Sequence, residues 1–308
     1  MRRILVTAIS GDIGNGILRI LEGQECHLFG CDVNDIAVGM DKVEYFWKAK
    51  YAADEGYIEE LLGKCEELQV THLIPVNERE IEIISKERTR FEDKGIKILI
   101  LDNSILECCL DKWETAMFLK KNGVEVPATF LSEEAIVDKR RKYICKPRRS
   151  NGSKNIFTYI PETEQADISD EYVIQEYIDS EEEYTVGVFR AGDVTNVISF
   201  KRELKNGYSY LVELSNDGKL KEIAERVAGL LDLRGYMNIQ LRKFEERYYI
   251  FEINPRISGT VRFRHMLGFS DVLWWLDILD NKNVPNYTCS YNKAVGIREL
   301  NEKYLILE

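Results

Sequence analysis

The sequence predicts an α/β unit followed by an α+β unit, and three observations carry that reading. A chain of 308 residues is long enough for two or three compact units with a substantial core. Residues 2–32 run strand, glycine turn, helix, strand, acid, the opening of a parallel βαβ arrangement. Residues 235–260 alternate apolar and polar side chains on both sides of Glu245-Glu246-Arg247, as an antiparallel hairpin does.

Composition narrows the partners. With 42 basic and 53 acidic side chains the net charge is −11, which argues against nucleic acid or an anionic membrane as the main partner. A local basic pocket for a nucleotide is still compatible with that balance. Met1-Arg2-Arg3 and the apolar run 4–9 imitate a signal peptide, but the run stops at Ser10-Gly11-Asp12 and reads better as a first strand. No run approaches the length of a membrane span. Seven cysteines, an odd number without a CxxC pair, point to a reducing compartment, so a cytoplasmic location is expected. The adjacent Cys108 and Cys109 are expected on a helix, in packing roles.

In the first unit, strand 2–9 enters the turn Ser10–Gly16, a helix over 17–22 follows, and strand 26–31 ends at Asp32. Gly11, Gly14, Gly16 and Asp32 match part of a dinucleotide-binding fingerprint, which would make the chain an NAD(P)-dependent oxidoreductase; glycines that only permit a tight turn and close helix packing are the alternative. A helix over 59–68 precedes strand 71–76. Asn77 and Glu78 lie just beyond that strand's C-terminal end, where an open sheet meets ligands, although a helix cap accounts for them equally. A helix placing Ile81, Ile84 and Ser85 on one side and a strand over 96–101 complete the unit.

The second unit opens with Asp111-Lys112 and a helix that stops at Asn122-Gly123. Strand 143–147 carries Lys146 on a partly buried face, and the small, basic stretch 148–154 before strand 156–160 could fold over a polyphosphate through backbone N–H groups and cations. Strand 172–178 leads into the acidic stretch 179–183, and a hairpin pairs 183–190 with 194–200. Lys201 and Arg202 follow, with Gly207-Tyr208-Ser209 as a substrate-side loop. The helix 219–230 turns Leu220, Ile223, Ala224 and Val227 inward. Arg262, Arg264 and His265 either clamp an acidic substrate or form the polar face of a helix; Trp274 and Trp275 read as core; 294–299 is expected to pair with 304–307.

The hairpin of 237–242 and 249–254 is the centre of the chemistry. A three-residue loop sets Gln240 opposite Glu252 and Asn238 opposite Asn254, with these four on one face and Met237, Ile239, Leu241, Phe251 and Ile253 on the other. One carboxylate and three amides suit a hard ion such as Mg²⁺ whose shell is completed by phosphate and water; a solvent-facing polar stripe is the plain alternative.

Glu252-Ile-Asn-Pro-Arg256, with Gln240 upstream and Gly259 downstream, resembles the metal-binding strands of ATP-grasp enzymes, in particular the carbamoyl-phosphate-synthetase-like branch of carboxylate–amine ligases. The order of Asp111-Lys112, Lys146-Pro147, Glu176-Tyr177-Ile178 and Glu183 extends the resemblance over nearly the whole chain. It implies a Rossmann-like pre-ATP-grasp domain at 1–104 and a two-lobed ATP-grasp domain at 105–308, its nucleotide-lid lobe about 113–178 and its catalytic lobe about 179–308. ATP with Mg²⁺ or Mn²⁺ is the implied cofactor pair, held by Gln240, Glu252 and Asn254 as metal ligands. Lys112, Lys146, Ser150, Gly152 and Ser153 are implied to approach the phosphates, with 149–154 as a lid; Glu176, Tyr177 and Ile178 meet adenine through their backbone and Glu183 meets the ribose. Arg256, Lys146 and Asn254 take the catalytic roles, and Asn77, Glu78, Lys201, Arg202, Arg256 and Arg262 are the substrate-facing candidates.

The implied reaction is transfer of phosphate from ATP to a carboxylate, giving an acyl phosphate for attack by an amine or related nucleophile, in a chain that works on small molecules and pairs as a homodimer through its N-terminal domain. A non-catalytic ATP-binding module is the alternative within the same resemblance. Polar, anionic acids such as amino acids or sugar acids suit Arg256, Arg262 and Asn77.

Overall fold

The computed structural model describes residues 1–149, 155–164, 166 and 168–299. The predicted contacts of Ser150, Gly152 and Ser153, and the predicted strand 304–307, lie outside the described residues.

The N-terminal sheet is parallel, with strand order β3-β2-β1-β4-β5. It comprises β1 (Arg2–Val6), β2 (Cys26–Asp32), β3 (Tyr45–Lys48), β4 (His72–Ile74) and β5 (Lys97–Ile98). Around it run α1 (Asp12–Leu21), α2 (Tyr57–Glu67), α3 (Glu78–Lys86) and α4 (Arg88–Glu92). The helix α3 keeps Ile81, Ile84 and Ser85 buried, as the spacing predicts. Asn77 is its N-cap, accepting from the Arg79 N–H at 2.8 Å while Glu80 accepts from the Asn77 N–H at 3.2 Å. Glu80 is buried, which pushes its carboxyl pKa up, and it is satisfied by Thr7 and Tyr57 at 2.7 and 2.8 Å.

Two consecutive helices, α5 (Asn103–Leu110) and α6 (Lys112–Lys121), lead to a four-stranded antiparallel sheet of order β6-β9-β7-β8. Its strands are β6 (Thr129–Phe130), β7 (Tyr143–Pro147), β8 (Phe157–Tyr159) and β9 (Tyr172–Glu176). Asp111 caps α6 by accepting from the N–H groups of Trp113 and Glu114. Cys108 and Cys109 sit on α5 as expected.

A six-stranded antiparallel sheet completes the fold, ordered β14-β13-β10-β11-β12-β15. The strands are β10 (Glu183–Ala191), β11 (Val194–Lys205), β12 (Tyr208–Ser215), β13 (Gly235–Phe244), β14 (Arg247–Asn254) and β15 (Val295–Ile297), accompanied by α7 (Gly218–Leu230), α8 (Val261–Met266) and α9 (Asp271–Leu279). Tyr208 and Ser209, read from sequence as loop, begin β12, because the turn needs only Asn206 and Gly207, both at positive φ. Among the described residues, β15 pairs with β12.

The start of α1 differs from the sequence reading. The helix begins at Asp12 rather than residue 17, in spite of two interior glycines. Those glycines serve packing: a methyl on Gly14 would lie 2.5 Å from the Ala8 carbonyl oxygen, and one on Gly16 would lie 2.7 Å from Val261 on α8. Close approach within the first unit at Gly14 and between the two units at Gly16 therefore outweighs the helix cost of glycine.

The central hairpin reaches its predicted register by another route. Asn238 does face Asn254 and Gln240 faces Glu252. The turn is Glu245-Glu246 alone, which shifts the tip pairing to Phe244 opposite Arg247. A bulge at Phe251 then restores the register, with Leu241 paired to Ile250 and Gln240 to Glu252. Met237, Ile239, Leu241, Ile250 and Ile253 are core, but the bulge turns Phe251 out of it and into the wall of a cavity.

Candidate active site

A cavity of about 830 Å³ is lined from all three sheets. Of the predicted site residues it gathers Asn77, Glu78, Lys112, Lys146, Glu176, Tyr177, Ile178, Glu183, Arg202, Gln240, Glu252, Asn254 and Arg256. Asn238 is not among its lining residues: its Oδ1 accepts from Thr185 and Ser258 at 2.8 and 3.1 Å inside the sheet.

Lys146 is presented by β7 and Lys112 by the first turn of α6, and both side chains are buried. Lys146 Nζ donates to the Phe251 carbonyl at 3.1 Å and lies 5.4 Å from the centre of that ring. Burial pulls its pKa down to about 8; Glu252 opposes that fall and Lys112 adds to it. Lys112 Nζ stands 3.6 Å from Glu252 Oε1, so the hairpin carboxylate has cations beside it.

At the far end, Glu78 accepts from Arg256 Nε and Nη2 at 2.9 and 2.7 Å, joining the N-terminal unit to the strand that carries Glu252. Arg256 Nη2 also reaches Asn254 Oδ1 at 3.3 Å. Asn254 is buried, and its Nδ2 has no hydrogen-bond partner. A buried donor left open beside a cavity calls for an acceptor on a ligand.

Glu183 is more constrained than the sequence suggests. Its Oε1 accepts from Arg202 Nε and Nη2 at 3.0 and 2.7 Å, and its Oε2 from Arg242 Nε and Nη2 at 3.1 and 3.0 Å. Arg202 Nη2 also donates to Gln240 Oε1 at 2.9 Å. Arg242, unrecognised in the sequence reading, shares a strand face with Gln240 at a spacing of two, a signal that was available. Its Nη1 donates at 3.0 Å to the Ile178 carbonyl, which also accepts from Ser180 N–H, so that carbonyl is already engaged. Glu176 pairs with Arg141 through its side chain. Pro127, Ile144 and Phe251 give the same end of the cavity its apolar surface.

Three expected residues stand elsewhere. Lys201 alternates to the opposite face from Arg202, 3.6 Å from Glu182. Arg262 is exposed on α8 and does not line the cavity. Arg264 cannot clamp a substrate because it is fully buried, donating to Asp271, Ser258 and Thr260 at 2.6, 2.8 and 2.6 Å. That ion pair fixes the segment after β14 from below.

The family model described as an ATP-grasp domain matches residues 109–260, and that of a PylC-like N-terminal domain matches residues 15–99. Residues 109–260 are an ATP-grasp domain. This ATP-grasp chain is 23% identical over 198 residues to the carbamoyl phosphate synthase large chain of Pseudothermotoga lettingae, covering 56% of its own length and only 18% of that relative's. Among solved structures it resembles N5-carboxyaminoimidazole synthetase from Staphylococcus aureus complexed with ADP, at TM-score 0.71 and 14% identity over 92% of this chain and 79% of that one. L-amino acid ligase from Bacillus licheniformis gives TM-score 0.69 and 14% identity, over 90% and 73% of the two chains. These likenesses establish the ATP-grasp fold, a parallel N-terminal sheet followed by two antiparallel ones.

The ATP-grasp donor set fits a hard cation at Glu252, a carboxylate with Asn254 two residues along the same strand and room for phosphate and water oxygens. It fits a second cation less well, since Gln240 is neutral and its oxygen accepts from Arg202 at 2.9 Å, a shorter contact than the 3.3 Å from Arg256 to the Asn254 oxygen. No group of three or more His, Cys, Asp or Glu side chains suited to a metal occurs among the described residues. Likewise, no helix among them is long and apolar enough to cross a membrane.

Proposed function

We propose that the chain is an ATP-dependent ligase that phosphorylates a carboxylate and passes the acyl group to an amine or related nucleophile, releasing ADP and phosphate. The observation that carries this reading is the convergence of Lys112, Lys146, Glu252, Asn254 and Arg256 on one cavity large enough for a nucleotide and a second substrate. Chemistry of this kind requires positioning and charge neutralisation more than a nucleophilic side chain.

In the proposed reaction the acid's oxygen attacks the γ-phosphorus, the bond to the β–γ bridging oxygen breaks, and ADP leaves. The nucleophile then attacks the acyl carbon and inorganic phosphate departs. Lys146 and Lys112 neutralise phosphate oxygens, and entering anions favour the charged form of buried Lys146. The Asn254 Nδ2–H donates to a phosphate or acyl-phosphate oxygen. Arg256, oriented by Glu78, faces the transferred group. Glu252 with Asn254 would hold Mg²⁺, which on binding draws charge from the β- and γ-phosphates. Phe251, Ile144 and Pro127 suit an adenine face.

Thermal unfolding tests nucleotide binding first. Mg-ATP should raise Tm, EDTA should abolish the rise, and NAD(P)H should have no effect; stabilisation by NAD(P)H alone would overturn the proposal. ADP release is then screened over paired acids and amines, where Glu252→Gln should lose at least a hundredfold in turnover while keeping its Tm within a few degrees. Near-normal turnover by that variant would remove Glu252 from the mechanism. Association through the N-terminal unit belongs to the same reading and is measured by sedimentation.

A further inference from the structure

Resting on the ATP-ligase reading, one further conclusion concerns how many cations the site takes. Two dications on one polyphosphate can share a bridging carboxylate, but each needs a further protein oxygen of its own, and the strand pair β13–β14 offers one anionic donor, Glu252. The residue opposite, Gln240, is neutral, and its side-chain oxygen accepts from Arg202 Nη2 at 2.9 Å. Arg202 is held there by two hydrogen bonds to Glu183 Oε1, with a side-chain exposure of 10%. Arg242 occupies the other Glu183 oxygen, so two guanidinium groups share one carboxylate and a net positive charge remains beside Gln240.

We propose that the site binds a single divalent cation, at Glu252, and that the Arg202 guanidinium supplies fixed positive charge to the phosphates on the Gln240 side, where it excludes a second cation. An incoming dication at Gln240 would have to share its oxygen with Arg202 and stand against that net positive charge. A guanidinium stays protonated at any pH the protein survives and needs no free metal, so this half of the charge compensation is permanent.

The number of cations can be counted without turnover. The full chain is mixed with a slightly substoichiometric amount of the non-hydrolysable analogue AMP-PNP and titrated with Mn²⁺, free Mn²⁺ being read by its electron paramagnetic resonance signal. One Mn²⁺ per chain–nucleotide complex is expected, and a second of comparable affinity would overturn the proposal. The double variant Arg202→Met/Gln240→Glu, checked for native circular dichroism, should bind two; if it is folded and still binds one, Arg202 is not what excludes the second ion. Should Mn-AMP-PNP leave the Tm of the parent protein unmoved, the nucleotide reading itself fails, a result distinct from a count of two.

Discussion

Lys146 is the side chain whose protonation state the structure sets most directly. Its folded pKa of about 8 lies below the ordinary lysine value of 10.5 because burial disfavours its charge. Above pH 8 the free protein therefore carries a neutral Lys146, and a polyphosphate must bring the proton in with it. Nucleotide affinity, measured by calorimetry in buffers from pH 7 to 9.5, should fall up to about tenfold per pH unit above 8, a slope that flattens in Lys146→Met. The same shift has the opposite effect on stability. Between about pH 8 and 10.5 the unfolded chain binds more protons than the folded one, so this lysine's cost to the fold is full below pH 8 and shrinks as pH rises. Residue types and order made Lys146, Glu252, Asn254 and Arg256 legible in the sequence. The partners Arg202–Gln240 and Arg242–Glu183 were not, because contacts across a sheet depend on strand order and register.

At the scale of elements, register is where sequence reasoning was right by compensation. A two-residue turn and a one-residue bulge cancel, so Gln240 meets Glu252 as a three-residue turn predicts, while Phe251 leaves the core for the cavity. Alternation alone cannot reveal a bulge, since the apolar residue it displaces suits either wall. The early start of α1 was hidden for a related reason, because Gly14 and Gly16 read as turn residues until Ala8 and Val261 are seen to press on them. Arg264 and Asp271, also opaque in sequence, make an element-level test. Both are fully buried, and the pair anchors Ser258 and Thr260 in the segment after β14. Asp271→Ala leaves an uncompensated buried guanidinium and should cost about 3–5 kcal/mol in urea unfolding; a loss under 1 kcal/mol would mean that solvent reaches Arg264.

For the whole molecule, the α/β unit was legible from its strand–turn–helix order, but the way it is fastened to the rest was not. Arg2, His72 and Lys97, all from strands of the N-terminal sheet, converge on Asp280 just beyond α9, and Arg2 also meets Asp277 at 2.7 Å. Burial raises the Asp280 pKa, yet its hydrogen bonds from Lys97 and Arg2 outweigh this and hold it below the ordinary 3.8. Such a carboxylate stabilises the fold above its unfolded pKa and loses that contribution as pH falls through the folded value. Asp280→Asn should thus lower Tm by a few degrees at pH 7, with the gap to the parent narrowing as pH falls below 4. A constant gap would assign the effect to packing.

A second fastening joins distant parts of the chain at the wall of the cavity. Arg298 donates to the Gly259 and Ser209 carbonyls at 2.6 and 3.0 Å and stands 3.6 Å from Asp12, three residues that all line the cavity. A ribosome makes these groups in order, and at about 5–20 residues per second the whole of the intervening chain must emerge before Arg298 can reach Asp12. The N-terminal sheet can fold early, yet the wall that would meet the second substrate cannot be assembled until residue 298 has emerged. A nascent chain would therefore acquire the means to hold a nucleotide before the means to use it.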